Sequence, residues 1–312
     1  MINYLYLLIA VVLMALQFSI NKFYQSKNGS AIMTSLLYTT LSGFAAGIIF
    51  FFINGCQVNV TPFSFLCAVI ISLLCLGYSL LGFKIFSLGN FSVYTMFLML
   101  GGMLLPFLYG MFFLGDVDGI SPLSLVCRIA GIILLMISMV FPCLDKKEDD
   151  AVGEDQKRKK KILFITLCIL VFFMNGFVSI FSKIHQIETT YPITDNNSFV
   201  FLTNTLNGMF SAAALFFLIL KNRTLPKLAK GFHPALLWVY VIGYALCNGV
   251  SYLLQLTAAA SDMPASIQYP MMTGGSVVLT ALAGFTFFHE KQSKNARIGT
   301  ALAFAATFLF LF

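Results

Sequence analysis

The sequence predicts an all-α integral membrane protein whose ten transmembrane helices form two inverted five-helix repeats. Three observations carry that expectation. Apolar residues fill 59% of 312 positions and charged residues only 10%, whereas soluble domains average about 25% charged residues. Ten stretches are long and apolar enough to cross a hydrocarbon core as helices, which takes roughly 20 residues each. One charged stretch separates five of these from the other five. Barrel strands would alternate apolar and polar residues over segments of about ten, and no such alternation is present.

The first run, 2–21, lacks the basic start and small-residue cleavage site of a signal peptide and is expected to persist as a span. Its Gln17 and Asn21 stand one helical turn apart. The second, 31–54, contains GFAAG (Gly43 to Gly47), a small-xxx-small pattern that suits a packing face. The third, 62–86, carries Lys84 near its end. In the fourth, 91–114, Gly101, Gly102 and Pro106 loosen the helix, and the run closes with YGMFFLGD at Asp116. The fifth, 121–142, holds Arg128 and Gly131. Residues 143–161 mix charge signs without apolar periodicity, as a solvated linker does.

Beyond the linker, the sixth run, 162–182, places Asn175, Ser179 and Ser182 on one face, and the seventh, 196–220, does the same with Asn204, Asn207 and Ser211. On the eighth, 234–258, Asn248, Tyr252 and Gln255 share a face. The ninth, 264–288, aligns Tyr269, Thr273, Ser276 and Thr280, interrupts the helix with Pro270, Gly274 and Gly275, and ends AGFTFFHE at Glu290. The tenth, 295–312, sets Gly299 one turn before Ala303, a small-residue face that could join two copies of the chain.

Cations are sorted along this path. Seventeen Lys and Arg, from Lys22 and Lys27 through the Lys157–Lys161 cluster to Arg297, fall on one side; Lys183 falls on the other, and Arg128 lies inside a span. The positive-inside rule makes the rich side cytoplasmic and puts both termini outside, with the cell membrane as location. This asymmetry explains the net charge of +7 without a nucleic-acid partner. The cysteines, mostly within spans, suit packing better than disulfides.

Five spans per half is an odd number, so related halves must enter the bilayer from opposite faces. An offset of 174 residues pairs Ser92 with Ser266, Gly101 with Gly275, Gly110 with Gly284, Phe113 with Phe287 and Asp116 with Glu290. The acid recurs because the unit recurs. Each carboxylate follows the end of a span and is expected to face the free N–H groups of the next helix, worth about 0.3–1 kcal/mol. On this reading 1–142 is the first repeat, 143–161 a cytoplasmic charged linker and 162–312 the second repeat.

The run ending FLGD or FFHE, followed by a span with an early glycine (Gly131, Gly299), resembles the EamA-like repeat of the drug/metabolite transporter superfamily. LLGFKIFSLGNFSVY (Leu80 to Tyr94) is similar to that family's Lys-aromatic stretch between its third and fourth helices. The resemblance implies a ten-helix carrier. In the second copy His289 stands for Gly115 and Ala258 for Lys84, a departure from symmetry at those positions.

A carrier needs polar groups inside its spans. The candidate substrate-binding residues are therefore Gln17, Asn21, Asn175, Ser179, Asn248, Tyr252, Gln255, Tyr269, Thr273 and Ser276. Gly101, Gly102, Pro106, Pro270, Gly274 and Gly275 are candidates for a gate or hinge, with close helix packing as the competing reading. No Asp or Glu lies deep in a span, which favours facilitated diffusion or exchange, although His185 with Glu188 or His289 with Glu290 could titrate. Lys84 and Arg128, if they face a cavity, favour an anionic or zwitterionic solute; snorkelling is the alternative. The expected function is secondary, non-ATP transport of a small polar metabolite, such as an amino acid or related compound, by alternating access. The partners are that solute and the lipid bilayer, with the chain a monomer or homodimer. A channel or lipid scramblase would share the polar lining. A membrane-embedded enzyme fits less well: Asp116 has no second deep aspartate, and three scattered histidines make no HExxH site. No cofactor and no metal are expected.

Overall fold

The computed structural model describes all residues except 1, 30, 89–90, 117, 119, 142–153, 230–231, 262, 288–293 and 311–312, and the side chains of 83, 86–88, 91–96, 139, 154–158, 161, 281, 285, 296 and 307. His289, Glu290, Asp262, Cys143 and most of the linker thus lie outside the described residues. The chain is all-α. Among the described residues ten helices follow in order: α1 (Ile2–Asn28), α2 (Ile32–Ile53), α3 (Pro62–Leu88), α4 (Phe91–Phe113), α5 (Pro122–Val140), α6 (Glu154–Ile187), α7 (Asn196–Asn222), α8 (Pro234–Ala259), α9 (Ala265–Phe287) and α10 (Lys294–Leu309).

Two boundaries correct the sequence reading. α1 continues to Asn28, so Lys22 and Lys27 are helical. α6 begins at Glu154 and takes the last eight residues assigned to the linker. EDQKRKKK holds strong helix formers and no Gly or Pro, with its acids first and its bases after, as the helix dipole prefers. Propagation from the apolar run is then cheaper than a new nucleus. At 34 residues, α6 is about 51 Å long, well over the roughly 30 Å of hydrocarbon.

Six helical stretches among the described residues are long and apolar enough to cross a bilayer: Ile2–Asn28, Ile32–Ile53, Pro62–Gly82, Ile162–Ile187, Asn196–Asn222 and Pro234–Ala259. Phe97–Phe113, Pro122–Ser138 and Arg297–Ala306 are shorter apolar helices. Large apolar side chains such as Phe52, Phe112, Phe113, Phe216 and Phe217 are exposed. In water such a surface would drive aggregation; against lipid tails it costs nothing. This is a multi-pass membrane protein.

Contacts divide the chain into two compact units, and the division cuts across the sequence halves. Unit 1 comprises Met1–Leu76 and Phe181–Ser261; unit 2 comprises Gly77–Ile180 and Asp262–Phe312. In unit 1, α1 packs along α8 and α2 along α7. Tyr24 stacks on Tyr38 at 4.2 Å within a cluster completed by Leu237 and Val241. Both hydroxyls find backbone acceptors, Tyr24 at Thr34 O (3.1 Å) and Tyr38 at Tyr240 O (3.2 Å), as buried phenols require.

The GFAAG pattern is a packing face. A Cβ on Gly43 would lie 2.8 Å from the Cα of Gly208 on α7, and Gly47 abuts Thr205. Because the obstacle at Gly43 is backbone, no rotamer change relieves it. Gly43→Val is expected to destabilise unit 1 by about 1–3 kcal/mol, read as a lower melting midpoint in detergent; an unchanged midpoint would mean that the helices part freely there.

Unit 2 is built on α4, α5, α9 and α10. Met103, Phe107, Ile132, Leu135, Val278, Ala303, Ala306 and Phe310 form its core, while Ile85, Cys168 and Val171 join α3 to α6. Ala303 is 1% exposed, and Gly299 is also buried. The small-residue face of α10 therefore packs inside the unit and is not a surface for a second copy.

Candidate functional site

The polar residues singled out in the sequence fall into two sets, one per unit. In unit 1 the α1–α8 pair is antiparallel: Ser251 Oγ donates to Ala10 O at 2.9 Å, and a Cβ on Gly243 would lie 3.4 Å from Ile20. The stripe on α8 splits between two neighbours. Asn248 Nδ2 donates to Asn204 Oδ1 on α7 at 3.1 Å, and Asn204 Nδ2 donates to Val200 O at 2.9 Å. One turn later the hydroxyls of Tyr252 and Ser182, on α6, are 3.0 Å apart. Gln255 is half-buried on the same stripe. On α1, Asn21 Oδ1 accepts from Gln25 Nε2 at 3.3 Å. Gln17 is only 9% exposed, and its Oε1 has no hydrogen-bond partner among the described residues. A buried acceptor left unmade costs about 1–3 kcal/mol.

Unit 2 gathers Asn175 and Ser179 of α6, Gly101 and Gly102 of α4, and Tyr269 of α9. Asn175 Nδ2 donates to Leu98 O at 2.7 Å. Tyr269, 1% exposed, donates its hydroxyl to Ser179 O at 2.8 Å. Ser276 Oγ bonds within its own helix, to Thr273 O at 2.8 Å, and both residues are buried. Gly101 lies against the Phe172 carbonyl and Gly102 against the Asn175 amide, so these glycines are where α4 and α6 approach closely. Pro106 and Pro270 sit inside helices that remain continuous. Each removes the amide donor for the carbonyl four residues earlier, at Gly102 and Ser266. Gly274 is buried and Gly275 half-buried.

Asp116 caps a helix end, but not the one expected. Gly115, at φ +69°, ends α4 in the left-handed conformation that glycine adopts freely. The chain then turns so that Asp116 Oδ2 accepts from Ser266 N at 2.7 Å, at the start of α9. α5 instead has Ser121 as its own cap, accepting from Ser124 N at 3.1 Å. Arg128 completes the joint: Nη1 donates to Asp116 O at 3.2 Å and to Ser266 Oγ at 3.1 Å. Of the two cations read as embedded, Arg128 is buried at 6% exposure and Lys84 is exposed.

Lys183, expected to stand apart from the other cations on the opposite side of the membrane, is 4% exposed and donates to Ala259 O at 2.7 Å, at the carboxyl end of α8 where the helix dipole attracts a cation. His185 and Glu188 do not pair. The imidazole bonds Ser64 and Gln186, whereas the Glu188 carboxylate accepts from the amides of Thr190 (2.6 Å) and Tyr191 (3.2 Å). The Thr190 amide holds that carboxyl below its ordinary range. Reading for polar groups deep in spans passes over such residues, because they sit at span ends, where polarity is ordinary.

Among solved structures, 28 chains are similar to this one. One, described as "Crystal structure of protein", matches with a TM-score of 0.67 over 98% of this chain and 95% of its own, at 15% identity. At that identity the likeness carries the fold alone. No family model matches the chain, and no curated protein sequence does.

Proposed function

We propose that this multi-pass membrane protein is a secondary carrier of a small polar metabolite, related to the EamA-like transporters, with its two sequence repeats inverted in the bilayer. The observation that carries the reading is the amide-rich interior of unit 1. Asn204, Asn248 and the Ser182–Tyr252 pair line apolar helices, and Gln17 keeps a buried carbonyl oxygen without a donor. Polar groups inside a membrane protein are costly and mark solute pathways. A solute with N–H or O–H donors would satisfy Gln17, and an amino acid or related compound has them.

Support for the repeat comes from helix boundaries: α4 and α9 are both 23 residues long, and each end of α9 falls 174 residues after the matching end of α4. The four helices outside the six long candidates also cross the bilayer on this reading, which returns both termini to the external face. Alternating access follows from one repeat rocking against the other.

A thermal-shift screen of purified protein against amino acids, nucleosides, sugars and organic cations should single out one class. Uptake of that class into liposomes should saturate and rise when unlabelled solute is preloaded inside. Unsaturable flux, indifferent to preloading, would make the protein a channel or scramblase.

A further inference from the structure

The densest charge in the chain is held by a helix, and the helix sets its depth. α6 runs from Glu154 to Ile187, but its apolar, membrane-length part is Ile162–Ile187. The preceding EDQKRKKK is therefore a helical stalk, about 12 Å long at 1.5 Å per residue. Its two acids come first, and five cations, Lys157, Arg158, Lys159, Lys160 and Lys161, follow without a break.

A helical rise places those five within about 6 Å along the axis, whereas an extended chain would spread them over about 13–14 Å. Successive positions are about 100° apart around the axis, so the run forms a collar. It starts next to Ile162, the first apolar residue. Each headgroup layer adds about 5–8 Å to the hydrocarbon, which matches the height of the collar. Glu154 and Asp155 stand about 9–11 Å farther from the hydrocarbon than Lys161, more than the screening length of about 8 Å at physiological salt. Their repulsion of an anionic surface is thus largely screened.

Lipid is what surrounds this end of α6. Of the six long candidate spans it is the least buried. Ile162, Leu163 and Ile165, in the turn below the collar, are exposed, as are Lys159 and Lys160 within it. A helix whose first apolar turn faces lipid tails has headgroups beside the residues just above that turn. α3 packs on α6 below this level, through Ile85 against Cys168 and Val171.

We infer that the Lys157–Lys161 collar is a docking surface for anionic phospholipid headgroups in the leaflet where α6 begins. Ammonium and guanidinium groups bind phosphate oxygens through charge-assisted hydrogen bonds. Orienting the chain in the bilayer needs only an excess of cations on one side. The helix adds a common depth, which orientation does not require and headgroup binding does. The collar does not depend on the transport reading.

A tryptophan placed beside the collar tests it. Trp238 is the single tryptophan of the chain, so Ile162→Trp in a Trp238→Phe background reports on this site alone. The full chain is reconstituted in phosphatidylcholine, with acyl-brominated phosphatidylcholine or phosphatidylglycerol as quencher at equal mole fraction. Quenching should show phosphatidylglycerol favoured about fivefold in low salt, the scale of one headgroup meeting one cation. Raising salt from about 0.1 M to about 1 M, which shortens the screening length from about 10 Å to about 3 Å, should remove the preference. Replacing all five cations with glutamine should remove it too. Lys159→Gln combined with Lys160→Gln keeps three cations to direct insertion and should give an intermediate preference, even if the fivefold replacement fails to insert. Equal quenching by the two lipids with the collar intact overturns the proposal. So does a preference left unchanged by the double replacement, which would assign it to cations outside the collar.

Discussion

Replacing Arg128 with methionine is expected to destabilise unit 2 by about 3 kcal/mol, as removing one member of a buried charged joint does. The guanidinium is 6% exposed and binds both the backbone of the α4–α5 turn and the first turn of α9. Methionine matches much of its volume, so the loss would reflect bonding more than a cavity. Ser266 Oγ and Asp116 O would each lose a donor, and the Asp116 carboxylate its nearby cation. Asp116→Asn should cost less, because the amide oxygen can still accept from Ser266 N. The double variant should fall short of the summed effects, since both residues hold the same turn of α9. Melting midpoints in detergent would measure all three. An Arg128→Met midpoint close to wild type would show that the joint contributes little.

Asn248→Ala is expected to reduce transport at least about tenfold, equivalent to about 1.4 kcal/mol, with little loss of folded protein. Its bond to Asn204 is of a kind worth about 0.6 kcal/mol within a membrane, so stability alone cannot account for a tenfold loss. The thermal shift given by the solute class found in the screen should vanish with it. If uptake and shift both survive in a stable Asn248→Ala protein, the amide pair only joins α7 to α8. Tyr269 is a poorer choice for this purpose. Its ring is fully buried and its hydroxyl pins α9 to α6, so truncation would open a cavity costing about 3–5 kcal/mol and confuse folding with function.

Most helix ends were legible within a few residues, because each follows from local chemistry. Pro62, Pro122 and Pro234 open helices, and apolar runs of sufficient length must be helical in lipid, where every backbone amide needs a partner inside its own segment. The exceptions, the end of α1 and the start of α6, arose because polar and charged residues can continue a helix as readily as they can form a linker. Candidate site residues were legible in type but not in partner. The stripe Asn248, Tyr252, Gln255 is visible as spacing, yet spacing does not say that one member meets α7 and the next α6. His185 was legible only as a possible partner of Glu188 and Lys183 only as a cation apart from the rest; their burial and actual partners, Ser64 and Gln186 for one and Ala259 O for the other, were not, since a polar residue at a span end is the common case.

By itself the sequence determined the all-α class, the ten helices and nearly all their boundaries, because length, apolarity and the need to satisfy each amide are properties of contiguous segments. The tertiary structure decided which helix end Asp116 serves. It also decided that Arg128 and Lys183 are buried while Lys84 is not, and that two compact units cut across the sequence halves. Those outcomes depend on groups brought together from far apart, as with Asp116 and Ser266, 150 residues distant along the chain. A directional bond a few ångströms long is set by where neighbouring helices come to rest, and no local pattern of residues encodes that.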